Sequence, residues 1–200
     1  MRRLVLGSRN KKKLGELLEL LGDLGVELTD LSPYPAAPEV EETADTFEGN
    51  ARLKATQLAP VLGEWVLGED SGLCVPSLGG APGVYSARYA GEHGNDGANN
   101  TKLLAALDGK TGDDRAAYYV STIALANPTG EVVATVEGRC WGRIATEGKG
   151  SGGFGYDPLF VIPEYHASFG ELSSAVKHAL SHRGRAAAKL RPLLRKSLLA

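Results

Sequence analysis

The sequence predicts an α/β fold built on a mixed β-sheet, and three patterns predict it. Apolar runs of strand length alternate with segments whose leucines recur at helical spacing. One stretch past the middle reads as a long antiparallel hairpin, and two basic amphipathic segments close the chain. Strand and helix signals in alternation favour parallel pairing, and the hairpin adds an antiparallel pair, so the sheet is mixed.

Each element has its own local reason. Arg3 to Leu6 is a short buried-type strand, broken by Gly7-Ser8-Arg9-Asn10. Leu14, Leu17, Leu18 and Leu21 then mark a helix that Ser8 or Asn10 can cap. Val26 to Leu31 is a second strand, followed by a loop through Pro33, Pro35 and Pro38. A helix runs from about Asp45 to Ala59, stopped by Pro60, with Phe47, Asn50, Ala51, Lys54 and Leu58 on one stripe. Trp65 to Leu67 is a strand ending in Glu69-Asp70-Ser71-Gly72, and Asn99 to Leu107 is a helix. Ala116 to Ala126, the turn Asn127 to Gly130 and Glu131 to Arg143 form the hairpin. Leu159 to Ile162 is one more strand, and the two basic helices are broken at Ser181-His182-Arg183-Gly184. No internal repeat and no domain-separating linker interrupts this order.

Composition narrows the function classes. Two hundred residues with 42% hydrophobic content make one domain over residues 1–200, and a chain of that length buries roughly 70% of its unfolded surface. A net charge of −2 argues against a bulk nucleic-acid binder. The charge is uneven, however. Glu39, Glu41, Glu42, Asp45 and Glu48 cluster, whereas no acidic residue follows Glu171. An acidic patch suits a divalent cation and a basic one suits phosphate, although solvated helix faces look the same. Cys74 and Cys140 are too few for a disulfide framework, which fits a reducing cytosol. No run approaches membrane-spanning length, and no signal peptide is seen, so a cytoplasmic protein without membrane partners is expected.

Several segments carry chemistry. Five of the eight residues from Gly148 to Gly155 are glycine, so the backbone can approach a ligand closely. Phe154 and Asp157 in that loop suit a flat, polar-edged ligand such as a nucleobase. Gly7 to Lys13 is a strand-to-helix turn, where free N–H groups and the positive helix end make an anion site. An ordinary capped helix explains that segment equally well. Glu69 and Asp70 leave a strand together and can hold Mg²⁺ and orient water; alternate strand residues face opposite ways, so one of the pair should enter the site. Asp-Ser-Gly is also a common turn. Glu42, just upstream of the Asn50 and Lys54 stripe, is a further candidate ligand. His182 and Arg183 at a helix start can read a base edge or bind phosphate. His178 and His182 have zinc-pair spacing, but the accompanying Glu is missing, since Ala179 follows His178.

Seven motifs, in order, resemble the inosine triphosphate pyrophosphatase family over essentially the whole chain. They are Ser8-x-Asn10-x-x-Lys13, Glu41-Glu42-Thr43, Thr46-Phe47 with Asn50-Ala51, Asp70-Ser71-Gly72-Leu73, Leu78 to Arg88, Gly152 to Pro158, and Ser181 to Gly184. The resemblance implies a two-lobed fold around a long mixed sheet, with a nucleotide cleft between the lobes. It implies Mg²⁺-dependent hydrolysis of ITP, dITP and XTP to the monophosphate and pyrophosphate, by enzymes that are usually homodimers. Carried over by position, Ser8, Arg9, Asn10, Lys11, Lys12 and Lys13 hold the triphosphate with help from Lys54. Glu42 and Asp70 hold Mg²⁺, Asp70 is the base for the attacking water, and Ser71 contacts substrate. Phe154, Gly155, Tyr156, Asp157, Lys177, His182 and Arg183 surround the base and sugar-phosphate.

The chain departs from the family pattern at three places. Glu69 stands where aspartate is commoner, Arg9 where glycine is common, and His178 where asparagine often follows the lysine. Other readings remain in view. Gly148-x-Gly150-x-x-Gly153 matches a dinucleotide fingerprint, but the residues after it read as a strand rather than a helix. A pyrophosphatase of related fold acting on other modified nucleotides is a closer alternative. A non-enzymatic nucleic-acid binder using the basic C-terminal helices would differ in class.

Overall fold

The computed structural model describes residues 2–199. Its strands are β1 (Arg3–Leu6), β2 (Glu27–Thr29), β3 (Trp65–Cys74), β4 (Ala116–Ala126), β5 (Val132–Ile144), β6 (Phe160–Ile162) and β7 (Ala167–Ser168). Its α-helices are α1 (Lys11–Leu21), α2 (Phe47–Leu62), α3 (Asp96–Ala106), α4 (Ser174–Leu180) and α5 (His182–Leu194). The strand order is β2-β1-β3-β4-β5-β6-β7. β1 runs parallel to both neighbours, with Leu4 opposite Leu28 and Trp65, while β6 is antiparallel to β5 and β7. The sheet is therefore mixed, as expected. Among the described residues no helix is long and apolar enough to cross a membrane.

The chain divides into two compact units. The first comprises Met1–Asp70, Ser121–Gly138 and His182–Ala200. Strand alternation sorts its core into two sides. Leu4 and Leu6 of β1 pack with Leu17 and Leu21 of α1 and Leu190 and Leu194 of α5. Val5, between them, packs with Ala51, Ala55 and Leu58 of α2. Covered on both faces, β1 is apolar throughout its buried length. The second unit comprises Ser71–Val120 and Arg139–Ser181. Leu103 and Leu107, on and just after α3, share its core with Tyr119, Phe160, Phe169 and Tyr156.

Two glycines set how closely helices seat in the first unit. A Cβ on Gly68 would lie 1.9 Å from the Ala51 carbonyl oxygen, so α2 rests this closely on β3 because that position carries no side chain. A Cβ on Gly138 would lie 2.1 Å from the His182 carbonyl oxygen, which seats the start of α5 against β5. These contacts place Asn50 and Lys54, and His182 and Arg183, respectively.

β7 has no counterpart among the expected elements, α3 begins at Asp96 rather than Asn99, and three further elements differ for identifiable reasons. α2 passes through Pro60 to Leu62, because proline so near the helix end removes one hydrogen bond and the left-handed Gly63 then closes the helix on the Ala59 carbonyl at 2.9 Å. β3 continues through Ser71-Gly72 to Cys74, because Leu73 and Val75 are both fully buried and pull the chain onward. The break between the last helices is confined to Ser181, and His182-Arg183-Gly184 opens α5.

Candidate functional site

In the first unit the turn after β1 is built around Asn10. Its side chain caps α1, accepting from the N–H groups of Lys12 and Lys13 at 3.0 and 3.2 Å, and the Ser8 hydroxyl accepts from Asn10 N at 3.1 Å. The basic side chains then diverge. Lys11 reaches the Asp30 carboxylate at 2.7 Å and the Ser32 hydroxyl. Arg9 donates to the carbonyls of Leu31 and Ala37 at 3.2 and 3.3 Å. Lys12 is exposed. Lys13 turns inward, 2.7 Å from Glu69 Oε2.

Adjacent carboxylates on β3 go to different surroundings, as strand alternation predicts. Glu69 is fully buried. Its Oε1 accepts from Ser121 at 2.8 Å and from Arg183 Nη2 and Nε at 2.9 and 3.3 Å. Arg183 also pairs with Glu16. Burial alone would raise the Glu69 carboxyl, but the charges of Arg183 and Lys13 hold it well below its ordinary value. Asp70 Oδ2 accepts from Asn50 Nδ2 at 3.2 Å, and Oδ1 lies 3.6 Å from Lys54 Nζ. Lys54 Nζ is also 2.9 Å from Glu42 Oε1 and donates to the Glu69 carbonyl at 3.2 Å. Burial raises the Asp70 carboxyl to about 6; Lys54 and Lys13 oppose the rise, while Glu42 and Glu69 add to it.

Glu42 and Asp70 thus converge on one buried ammonium. Among the described residues no group of three or more His, Cys, Asp or Glu forms a ready metal cage. Two hard oxygen donors without a cage match the habit of Mg²⁺, which is held by one or two carboxylates and completed by water and substrate phosphates. The donor set fits such an ion.

In the second unit the glycine-rich segment is pinned at several points. Asp157 Oδ2 accepts from Lys177 Nζ at 2.7 Å and from Phe154 N at 2.8 Å. Lys177 Nζ lies 5.0 Å from the Phe154 ring centroid. The Gly155 N–H donates to Asp96 Oδ2 at 2.9 Å, and Asn100 Nδ2 donates to the Gly155 carbonyl at 3.0 Å. Tyr156 donates to the Ser86 carbonyl at 2.8 Å. Tyr119, also hydrogen-bonded to Asp157, has its phenol pushed well above the ordinary range, first by burial and then by that carboxylate. Ser71 is half-buried on β3 in this unit, and His182 is buried at the start of α5 in the other.

A family model described as the Ham1 family matches residues 4–193.

The chain belongs to the Ham1 family.

A relative from Rhodopirellula baltica, named dITP/XTP pyrophosphatase, is 56% identical over 183 residues, covering 92% of this chain and 88% of the relative. One from Desulforamulus reducens with the same name is 49% identical over 192 residues, covering 96% of this chain and 95% of the relative. The solved HAM1 protein of Coxiella burnetii superposes with a TM-score of 0.89 at 39% identity, covering 98% of this chain and all of that one, 100%.

On this Ham1 fold the residues that sequence reasoning singled out fall into groups. Lys13, Glu42, Lys54, Asp70 and Arg183 are gathered in the first unit, and Phe154, Gly155, Tyr156, Asp157 and Lys177 in the second. His178 and His182 stand on two different helices, and the segment after Gly153 reaches β6 without opening a helix. Glu16, Ser121, Asp96, Asn100 and Tyr119 were not singled out. Glu16 had a signal, lying one turn beyond Lys13 on α1. Asp96 and Asn100 also had one, with the four-residue spacing of a shared helix face. Ser121 and Tyr119 sit in an apolar strand, where nothing local marks a polar partner.

Proposed function

We propose that this chain hydrolyses the non-standard purine nucleoside triphosphates ITP, dITP and XTP to the monophosphate and pyrophosphate, and so removes them from the nucleotide pool. The observation that carries the reading is Asp70. It is a buried carboxyl raised to about 6, oriented by Asn50 and flanked by Lys54, Glu42 and the charge of Lys13. The family membership and the names of the relatives support the substrate class.

In the mechanism Asp70 takes a proton from water as its oxygen attacks the α-phosphorus. The bond from that phosphorus to the bridging oxygen breaks, and pyrophosphate leaves with the electron pair. Lys13 and Lys54 balance the negative charge of the polyphosphate, with Ser8 and Asn10 shaping the turn that carries Lys13. Glu42 and Asp70 would hold Mg²⁺, which when bound neutralises charge on the phosphates. Phe154 offers an aromatic surface to the base, and Asp157 with Lys177 forms its polar edge. Hypoxanthine presents an acceptor at position 6 and adenine a donor, so a fixed donor there rejects ATP by leaving buried groups unpaired. The free cysteines Cys74 and Cys140 support a reducing, cytoplasmic setting. A homodimer is part of the same proposal, carried by the family resemblance.

Pyrophosphate release from ITP, dITP, XTP, ATP, dTTP and UTP, with and without Mg²⁺, tests the reading. Mg²⁺-dependent release from the first three at rates well above the others is expected. Inert ITP and XTP with active pyrimidine triphosphates would replace it with another substrate class.

A further inference from the structure

We propose that Asp96 and Asn100 of α3 are specificity-determining positioning residues, which clamp the Gly155 peptide and hold the Phe154–Asp157 segment in the shape that accepts an oxopurine and excludes adenine. The inference rests on the pyrophosphatase reading above and deepens it.

The clamp grips both polar ends of one residue. Asp96 accepts from the Gly155 N–H at 2.9 Å, and Asn100 donates to the Gly155 carbonyl at 3.0 Å. Residues four apart on a helix share a face, so α3 presents both groups together. Gly155 has φ +62 and Gly153 has φ +73, so Phe154 lies between two left-handed glycines. Left to itself, such a backbone samples many conformations. The neighbouring holds act elsewhere, with Asp157 on Phe154 N and Ser86 on the Tyr156 hydroxyl. The bonds from α3 act on the Gly155 peptide itself, at its N–H and its carbonyl.

Rigidity turns a hydrogen-bond pattern into selectivity. Hypoxanthine and adenine differ by exchanged donors and acceptors at two ring positions. A loop able to shift by about an ångström can re-pair with either base, whereas a fixed one leaves the wrong base unsatisfied. Asp96 and Asn100 touch backbone rather than the reacting phosphates, so loosening them should act on base choice and leave the chemical step largely alone.

The test measures kcat and KM for ITP and ATP in Asp96→Ala, Asn100→Leu, Asp96→Asn and Asn95→Ala. Asn95 caps α3 through Ala98 N at 3.0 Å without touching Gly155, so Asn95→Ala reports a purely structural effect. Losing a hydrogen bond so that a buried partner is left unpaired is worth roughly tenfold. For Asp96→Ala and Asn100→Leu the expectation is therefore an ITP KM raised about tenfold, kcat within about threefold, and an ITP-over-ATP preference reduced about tenfold. Asp96→Asn keeps an acceptor for the Gly155 N–H and should recover most of the preference. Asn95→Ala should lower the melting temperature and leave the preference unchanged. An undiminished preference in Asn100→Leu and Asp96→Ala, or an equal drop in Asn95→Ala, overturns the proposal. If Asp96→Ala fails to fold, Asn100→Leu decides alone. A native protein that releases no pyrophosphate from ITP would instead remove the reading on which the clamp rests.

Discussion

Asp70 and Glu69 are neighbours in the chain with opposite electrostatic fates. Asp70 is buried, and that burial raises its proton affinity, with Glu42 and Glu69 adding to the rise and the charges of Lys54 and Lys13 opposing it. Glu69 is buried among two cations and a hydroxyl, so its affinity falls. The difference separates a group that can accept a proton from one that holds the frame. Asp70→Asn should cut kcat for ITP by about 10²–10⁴, the usual worth of a general base, with the nucleotide dissociation constant changed little. Steady-state kinetics beside calorimetric titration reads both. Glu69→Gln leaves the buried Arg183 and Lys13 poorly matched and should cost about 3–5 kcal/mol of stability, measured by urea unfolding.

Gly68 lets α2 lie against β3 at a distance that excludes any side chain, and α2 carries Asn50 and Lys54. Gly68→Ala should destabilise by about 3 kcal/mol through overpacking, and should lower kcat as well, because Asn50 and Lys54 move with the helix. Thermal unfolding and kinetics on one preparation check both effects. At the other side of the sheet Asp30, just past β2, ties to Lys11 at the start of α1. Burial raises the Asp30 carboxyl, but hydrogen bonds from Lys11 and Ser32 outweigh it and leave it below its ordinary 3.8. A carboxyl lowered by folding stabilises fully above that ordinary value, and the gain is lost as pH falls through the folded value. Native stability should therefore decline below about pH 4, and Asp30→Asn should show a shallower decline, seen as the urea midpoint from pH 7 to pH 2.5.

Legibility in the sequence followed the range of the cause. β1, the cap on α1 and the β4–β5 hairpin were readable because apolar period and turn chemistry act within a few residues. β3 was cut short in that reading because Asp-Ser-Gly resembles a turn, while the burial of Leu73 and Val75 that overrides it depends on tertiary packing. Lys13, Glu42, Lys54 and Asp70 were visible as motif residues. The commitment of Arg183 to Glu69 and Glu16 was not, since its partners lie 114 and 167 positions away.

At the scale of the molecule both compact units are discontinuous in sequence. The chain leaves the first after Asp70, returns at Ser121, leaves after Gly138 and returns at His182. A chain ended at Ser181 lacks α5, and with it Leu190, Leu194 and Arg183, one of the two cations that face Glu69. Such a fragment should show no cooperative unfolding transition by circular dichroism, whereas the full chain should show one.

The Glu69–Arg183 pair also imposes a timetable on the ribosome. Translation proceeds at about 5–20 residues per second, and 114 positions separate the two partners. A nascent chain therefore carries this fully buried carboxylate for roughly 6 to 23 seconds before the matching guanidinium has been made. During that interval β3 lacks one of the two cations that hold its buried Glu69, so β3 should reach its final packing only as synthesis ends.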